Sequence, residues 1–175
     1  FDNSGRVSVG DFFSGYDLTQ GGTITLHYKP STLSQYCGGL LHYGGAYTYA
    51  PKILAYDDRI YAEWADAADT SIVIYDILTV DNWSFITLYW NSSHWWLRVD
   101  DTTVDEANSF VDRNSSDNRI GQVIYGVWSA CGAIDDVRIF KRKLDDAELN
   151  QIRDNAHQSS GNLTSIVKDA ESVSG

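Results

Sequence analysis

The side chains that could do chemistry in this sequence are carboxylates and aromatic rings. A two-carboxylate glycoside hydrolase needs both acids aimed into one cleft, and a strand aims alternate residues at one face. The nearest match is Glu63-Trp-Ala-Asp66-Ala-Ala-Asp69. Glu63 and Asp66 are three apart, so a regular strand sends them to opposite faces, and Asp69 falls in the next loop. The spacing therefore fails as a hydrolytic centre. His27, His42, His94 and His157 have no Gly-x-Ser-x-Gly partner, and no His or Cys spacing suits zinc. The chain reads as a non-enzyme.

The aromatic residues point to recognition. The sequence holds 6 Trp and 11 Tyr. Sugar rings stack their apolar C–H faces on aromatic rings. By analogy with base stacking, each exposed platform contributes about 1–3 kcal/mol. Candidate platforms at loops and strand ends are Tyr43, Tyr47, Tyr49, Trp64, Trp95 and Trp128, with Asp66, Asp69, Asn114 and Asp117 as polar neighbours. Tyr47 and Tyr49, in a Gly-rich loop, form the best exposed pair. Trp83, Phe85 and Trp96 read as core. The ligand-binding expectation is thus Tyr47, Tyr49, Trp64, Trp128 and Asp66.

These residues must be positioned by strands. Short alternating or apolar runs occur at 6–10, 23–28, 38–43, 52–56, 59–65, 71–78, 84–90 and 94–100, with Asp57-Asp58 and Asn91-Ser-Ser93 as turns. Residues 101–118 are polar and acidic, a long loop with one more strand, and 119–128 regain strand character. Gly132–Phe140 alternates, with Ala133, Asp135, Val137 and Ile139 on one face and Ile134, Asp136, Arg138 and Phe140 on the other. Large apolar groups on both faces predict a strand covered on both sides. Asp145 and Glu148 form a capping box at a helix start, with Leu144 and Leu149 at staple positions. Regular short strands with polar turns predict a sandwich or barrel. Residues 155–175 read as a polar linker or tail, leading to a further module or a partner contact.

Composition narrows the class. At 175 residues the chain suits one domain with a real core. A net charge of −11 argues against nucleic acid, and Lys141-Arg-Lys143 is the one basic cluster, read as a solvated turn. No apolar run is long enough to enter a membrane. A sequence that starts at Phe1 and contains no Met reads as a processed protein or a piece of a longer one. Cys37 and Cys131 suit a disulfide across a long loop, the alternative being two buried thiols. Asn-x-Ser/Thr sequons start at Asn82, Asn91, Asn114 and Asn162. Asn91, Asn114 and Asn162 are the glycosylation candidates, whereas Asn82 lies at a strand start. Both features point to the extracellular space or the cell surface.

The Gly132-Ala-Ile-Asp-Asp-Val-Arg-Ile-Phe140 segment followed by Leu144-Asp-x-x-Glu148 resembles the close of laminin-G-like, concanavalin A-like jelly rolls. Phe1–Val9, Gly22–Pro30, Asn82–Trp90, Trp96–Asp100 and Arg119–Gly121 resemble that family's earlier strands in order. Asp100-Asp101 departs from its usual Asp-Gly turn. The resemblance implies an all-β jelly-roll sandwich over 1–154 with one short C-terminal helix. It also implies a structural calcium ion, with Asp135 as ligand and Asp2, Asn3 and Gly44 in the neighbourhoods that supply carbonyls. The alternative is that Asp135 caps backbone donors with no metal. The expected function is a non-catalytic recognition or adhesion module binding a glycan or an extracellular protein. The alternatives are a structural subunit of a surface layer or filament, self-associating through its C-terminal tail, and an unusual carbohydrate-active enzyme.

Overall fold

The computed structural model describes residues 7–10, 13–34, 38–43, 51–64, 70–74, 76–107, 118–122 and 129–155. The strands are β1 (Val7–Val9), β2 (Gly22–Pro30), β3 (Gly39–His42), β4 (Pro51–Tyr56), β5 (Arg59–Trp64) and β6 (Thr70–Ile74). They continue with β7 (Ser84–Trp90), β8 (His94–Val99), β9 (Thr102–Ala107), β10 (Asn118–Ile120) and β11 (Gly132–Phe140), before helix α1 (Asp146–Asn155). The expected strand over 71–78 ends at Ile74, and Ile77–Thr79 is irregular. Two units emerge, Phe1–Leu144 and Asp145–Gly175.

The first unit is an antiparallel sandwich. Its six-stranded sheet has the order β1-β10-β3-β4-β5-β6 and its five-stranded sheet β11-β2-β7-β8-β9. Alternation fills the space between them. Ile24, Leu26 and Tyr28 of β2, Ile86, Leu88 and Trp90 of β7, and Trp95, Leu97 and Val99 of β8 meet Ile53, Ala55, Ile60 and Ala62 of the other sheet. Phe13 closes one end of this core, its ring 5.2 Å from Tyr43 and 5.7 Å from Trp90. The Trp90 Nε1–H donates to the Leu18 carbonyl at 2.8 Å, satisfying the indole's polar edge. Gly22 has no side chain because the Trp90 ring occupies the place of its Cβ.

Several sequence expectations are corrected here. Tyr43 and Trp95, read as platforms, are core residues at 0% exposure. Trp83, read as core, is 37% exposed. Phe85 is buried, but on the outward face of the five-stranded sheet, its ring 4.9 Å from His27. Trp96 also lies outward. β11 is an edge strand, half-buried rather than covered on both faces.

Strict alternation also fails in β11. Ile134 and Asp135 pair with Tyr28 and His27, then Arg138 and Ile139 with Thr25 and Ile24, so β11 carries one extra residue. Asp136 takes a φ of 49° at this bulge. The bulge turns Ile134, Val137 and Ile139 onto the same core side, where a regular strand would separate Ile134 from the others.

Aspartate does the work of glycine at several bends. Among the described residues the five non-glycine residues with positive φ are Asp57, Asp76, Asp81, Asp100 and Asp136. At Asp100, φ is 51° and the carboxylate accepts the Phe85 N–H at 2.9 Å, while Asp101, where glycine is usual, is not among the positive-φ residues. In the second unit, α1 starts with the expected capping box. Glu148 N–H donates to Asp145 Oδ1 at 2.9 Å and Asp145 N–H to Glu148 Oε2 at 3.0 Å.

Candidate functional site

The pairing of the six-stranded sheet locates the strand ends to which the connections bearing the expected binding residues attach. Pro51 pairs with Trp64 and Trp64 with Thr70, while His42 pairs with Lys52 and Arg119 with His42. The starts of β4, β6 and β10 therefore share one end of the sheet with the finishes of β3 and β5. The 44–50, 65–69 and 108–117 connections attach at this end. They carry Tyr47 and Tyr49, Asp66, and Asn114 respectively. These four residues themselves lie outside the described residues. Trp64 ends β5 at this same end, paired with Pro51 and Thr70. Trp128 also lies outside the described residues, and it directly precedes Ser129. Ser129 bridges Gln122 at the opposite end of the sheet.

The outward face of this sheet is polar and aromatic. Lys52 and Glu63, paired across β4 and β5, form an ion pair of 3.6 Å. This gives Glu63 a structural partner. Tyr56 and Tyr61 meet edge to face with centroids 6.0 Å apart. No group of three or more His, Cys, Asp or Glu side chains suited to a metal occurs among the described residues.

The outward face of the five-stranded sheet carries an arrangement that sequence reasoning missed. Tyr89 and Trp96 stack at 5.3 Å with 17° between planes, and His94 stacks on Trp96 at 5.9 Å. The Lys143 ammonium lies 5.1 Å from the Tyr89 centroid and 4.7 Å from that of Trp96. Lys141 lies 5.7 Å from the Tyr16 centroid. The basic turn read as solvated thus places two of its cations over aromatic faces. Alternation from Leu97 and Val99 was the available signal, since it sends Trp95 inward and Trp96 outward.

Two tyrosines are perturbed. The Tyr28 hydroxyl donates to the Cys131 carbonyl at 3.0 Å, and burial pushes its pKa up to about 12. Burial, then the neighbouring Asp17 charge, raises that of Tyr16. Asp17 is held below the usual carboxylate range by the Thr19 hydroxyl and N–H.

Asp135 is exposed, and its Oδ1 accepts the Asp136 N–H at 2.8 Å. This supports the capping role at the bulge. Asp2, Asn3 and Gly44 lie outside the described residues. Cys131 begins the approach to β11, its carbonyl accepting the Ser31 N–H at 3.0 Å; Cys37 lies outside the described residues. Asn91 sits at the β7–β8 turn, its Oδ1 accepting the Ser93 and His94 N–H groups, each at 2.9 Å. Asn162 and the C-terminal tail from 156 lie outside the described residues.

No protein-family profile matches this chain, and no curated protein matches it in sequence. Solved structures do resemble it. The receptor-binding domain of a botulinum neurotoxin C/D mosaic serotype is 12% identical, with a TM-score of 0.66 over 86% of this chain and 40% of that one. Domains LG4-5 of the mouse laminin α1 chain are 18% identical, with a TM-score of 0.62 over 83% of this chain and 43% of that one. The ligand-binding domain of botulinum neurotoxin serotype D, in complex with N-acetylneuraminic acid, is 13% identical, with a TM-score of 0.62 over 86% of this chain and 39% of that one. This chain spans about two fifths of the length of each. At these identities the likeness shows the fold, a laminin-G-like jelly roll.

Proposed function

We propose that this chain is a non-catalytic, extracellular recognition module that binds a glycan as part of a larger surface protein. The observation that carries the reading is topological. The connections bearing Tyr47, Tyr49 and Asp66 attach, with Trp64, at one end of the six-stranded sheet. Such clustering of loops on a rigid scaffold is the usual way a sandwich presents a binding surface. The similar structures are binding domains by name, which supports recognition in general. The Glu63–Lys52 ion pair leaves Glu63 as part of the sheet surface and supports a non-enzymatic reading. Among the described residues no helix is long and apolar enough to cross a membrane.

Glycan-array binding tests this reading. Tyr47→Ala and Trp64→Ala should each weaken binding about tenfold or more, the loss of one stacking platform. Unchanged binding in both variants, or self-assembly of the protein without any glycan bound, overturns it. Three further features belong to the proposal. A Cys37–Cys131 disulfide is supported by the absence of a free cysteine among the described residues. A glycan at Asn91 is supported by its place at an exposed turn. A calcium ion braced by Asp135 is tested by adding EDTA to the same array and by a thermal melt.

A further inference from the structure

We propose a second ligand subsite, for one neutral sugar ring, in the depression beside Trp83 on the five-stranded sheet. It is distinct from the surface proposed above. Pro30 leads through the 31–38 connection into Gly39, and Ser34 accepts the Asp57 N–H at 3.4 Å. Pro30 therefore lies at the Asp57-Asp58 end of the sandwich, opposite Trp64.

The depression holds about 350 Å³ and is lined by Lys29, Ser31, Asp81, Gly132 and Ala133. Small-ligand pockets run from about 300 to 1,000 Å³, so the space suits one ring and not a chain of them. Its walls are fixed by backbone. Asp81 N–H donates to the Pro30 carbonyl at 2.8 Å, and Ser31 N–H to the Cys131 carbonyl at 3.0 Å. The floor is kept low at Gly132, where φ is 148° and any Cβ would run into the Lys29 carbonyl.

The chemistry at the rim is that of a polyol site. Among the described residues, Trp83 is one of five large apolar side chains left exposed, at 37%. Lys29, which lines the depression, holds its ammonium 5.5 Å from the Trp83 ring centroid. Lys29, Asp81 and Ser31 together offer a cationic donor, an anionic acceptor and a hydroxyl. An anionic ligand would meet Asp81 and a cationic one Lys29. A neutral ring satisfies both with its hydroxyls, beside the Lys29 side chain that rests on the Trp83 ring.

Two-dimensional ¹H–¹⁵N spectra of the intact chain, titrated with glucose, galactose, mannose and N-acetylglucosamine, test the site. At least one sugar should shift the Trp83 indole N–H together with the Asp81 and Ala133 amides at millimolar concentration. Trp83→Ala and Asp81→Asn should each weaken the response, read at the position 81 and Ala133 amides, about tenfold or more, while Trp64→Ala leaves it unchanged. Absence of the shifts with all four sugars, their persistence in both variants, or stronger binding of N-acetylneuraminic acid overturns the proposal. Because Trp64→Ala reads the other surface, failure of either proposal is visible separately.

Discussion

Trp95 and Trp96 are adjacent in sequence and opposite in environment. Trp95 faces inward on β8, fully buried among Leu88, Leu97 and Trp90 in the core cluster. Trp96 faces outward, stacked on Tyr89 and lying under Lys143. The two faces of the five-stranded sheet are built from the same residue types but solve different problems. The inner face removes apolar area from water, whereas the outer face organises rings and charges. The outer face is also closed to water along its middle, where Thr25 and Thr87, paired across β2 and β7, are both fully buried. The lesson is that burial alone does not identify the core; pairing and face do.

That contrast can be broken experimentally. Trp95→Ala should destabilise by about 3–5 kcal/mol, the usual cost of emptying a large core position. Trp96→Ala should cost only about 1–2 kcal/mol, from lost stacking and cation–π contact. Urea unfolding of the two variants measures the gap, and equal losses would erase the distinction. The next effect concerns Tyr28 on the inner face. Its folded pKa of about 12 lies above the ordinary value of 10.0. The folded state therefore holds the proton more tightly, and stability falls as pH rises from 10 to 12, by on the order of 3 kcal/mol. Melting temperatures across that range should drop in the native sequence and flatten in Tyr28→Phe. The smallest effect belongs to the outer face. The Thr25 and Thr87 hydroxyls are buried without a hydrogen-bond partner, so Thr25→Val or Thr87→Val should raise stability by about 1 kcal/mol each. A loss of stability instead would show that these hydroxyls are satisfied in solution.

Much of the fold was legible in local signals. The short strands at even spacing, the capping box at Asp145 and Glu148, and the turn at Asn91 are each written within a few residues, because capping and turn chemistry act over that range. The candidate binding surface was only half legible. The sequence identified Tyr47, Tyr49, Trp64 and Asp66 as suitable types, yet it could not say that their connections attach at one end of the sheet. That is a property of strand order. The Trp83 depression was not legible at all, since its lining comes from residues around 29, 81 and 132, which only meet through β2, β7 and β11.

Taken alone, the sequence determined a strand-rich, acidic chain with a capped helix and no spacing suited to hydrolysis. The tertiary structure decided which of the neighbouring Trp95 and Trp96 lies inside. It decided too that a bulge at Asp136 brings Ile134 back to the core, and that lysines 141 and 143 rest on aromatic faces. The reason is physical. A single extra residue in one strand reverses every side chain beyond it, and that residue declares itself only when its partner strand is in place.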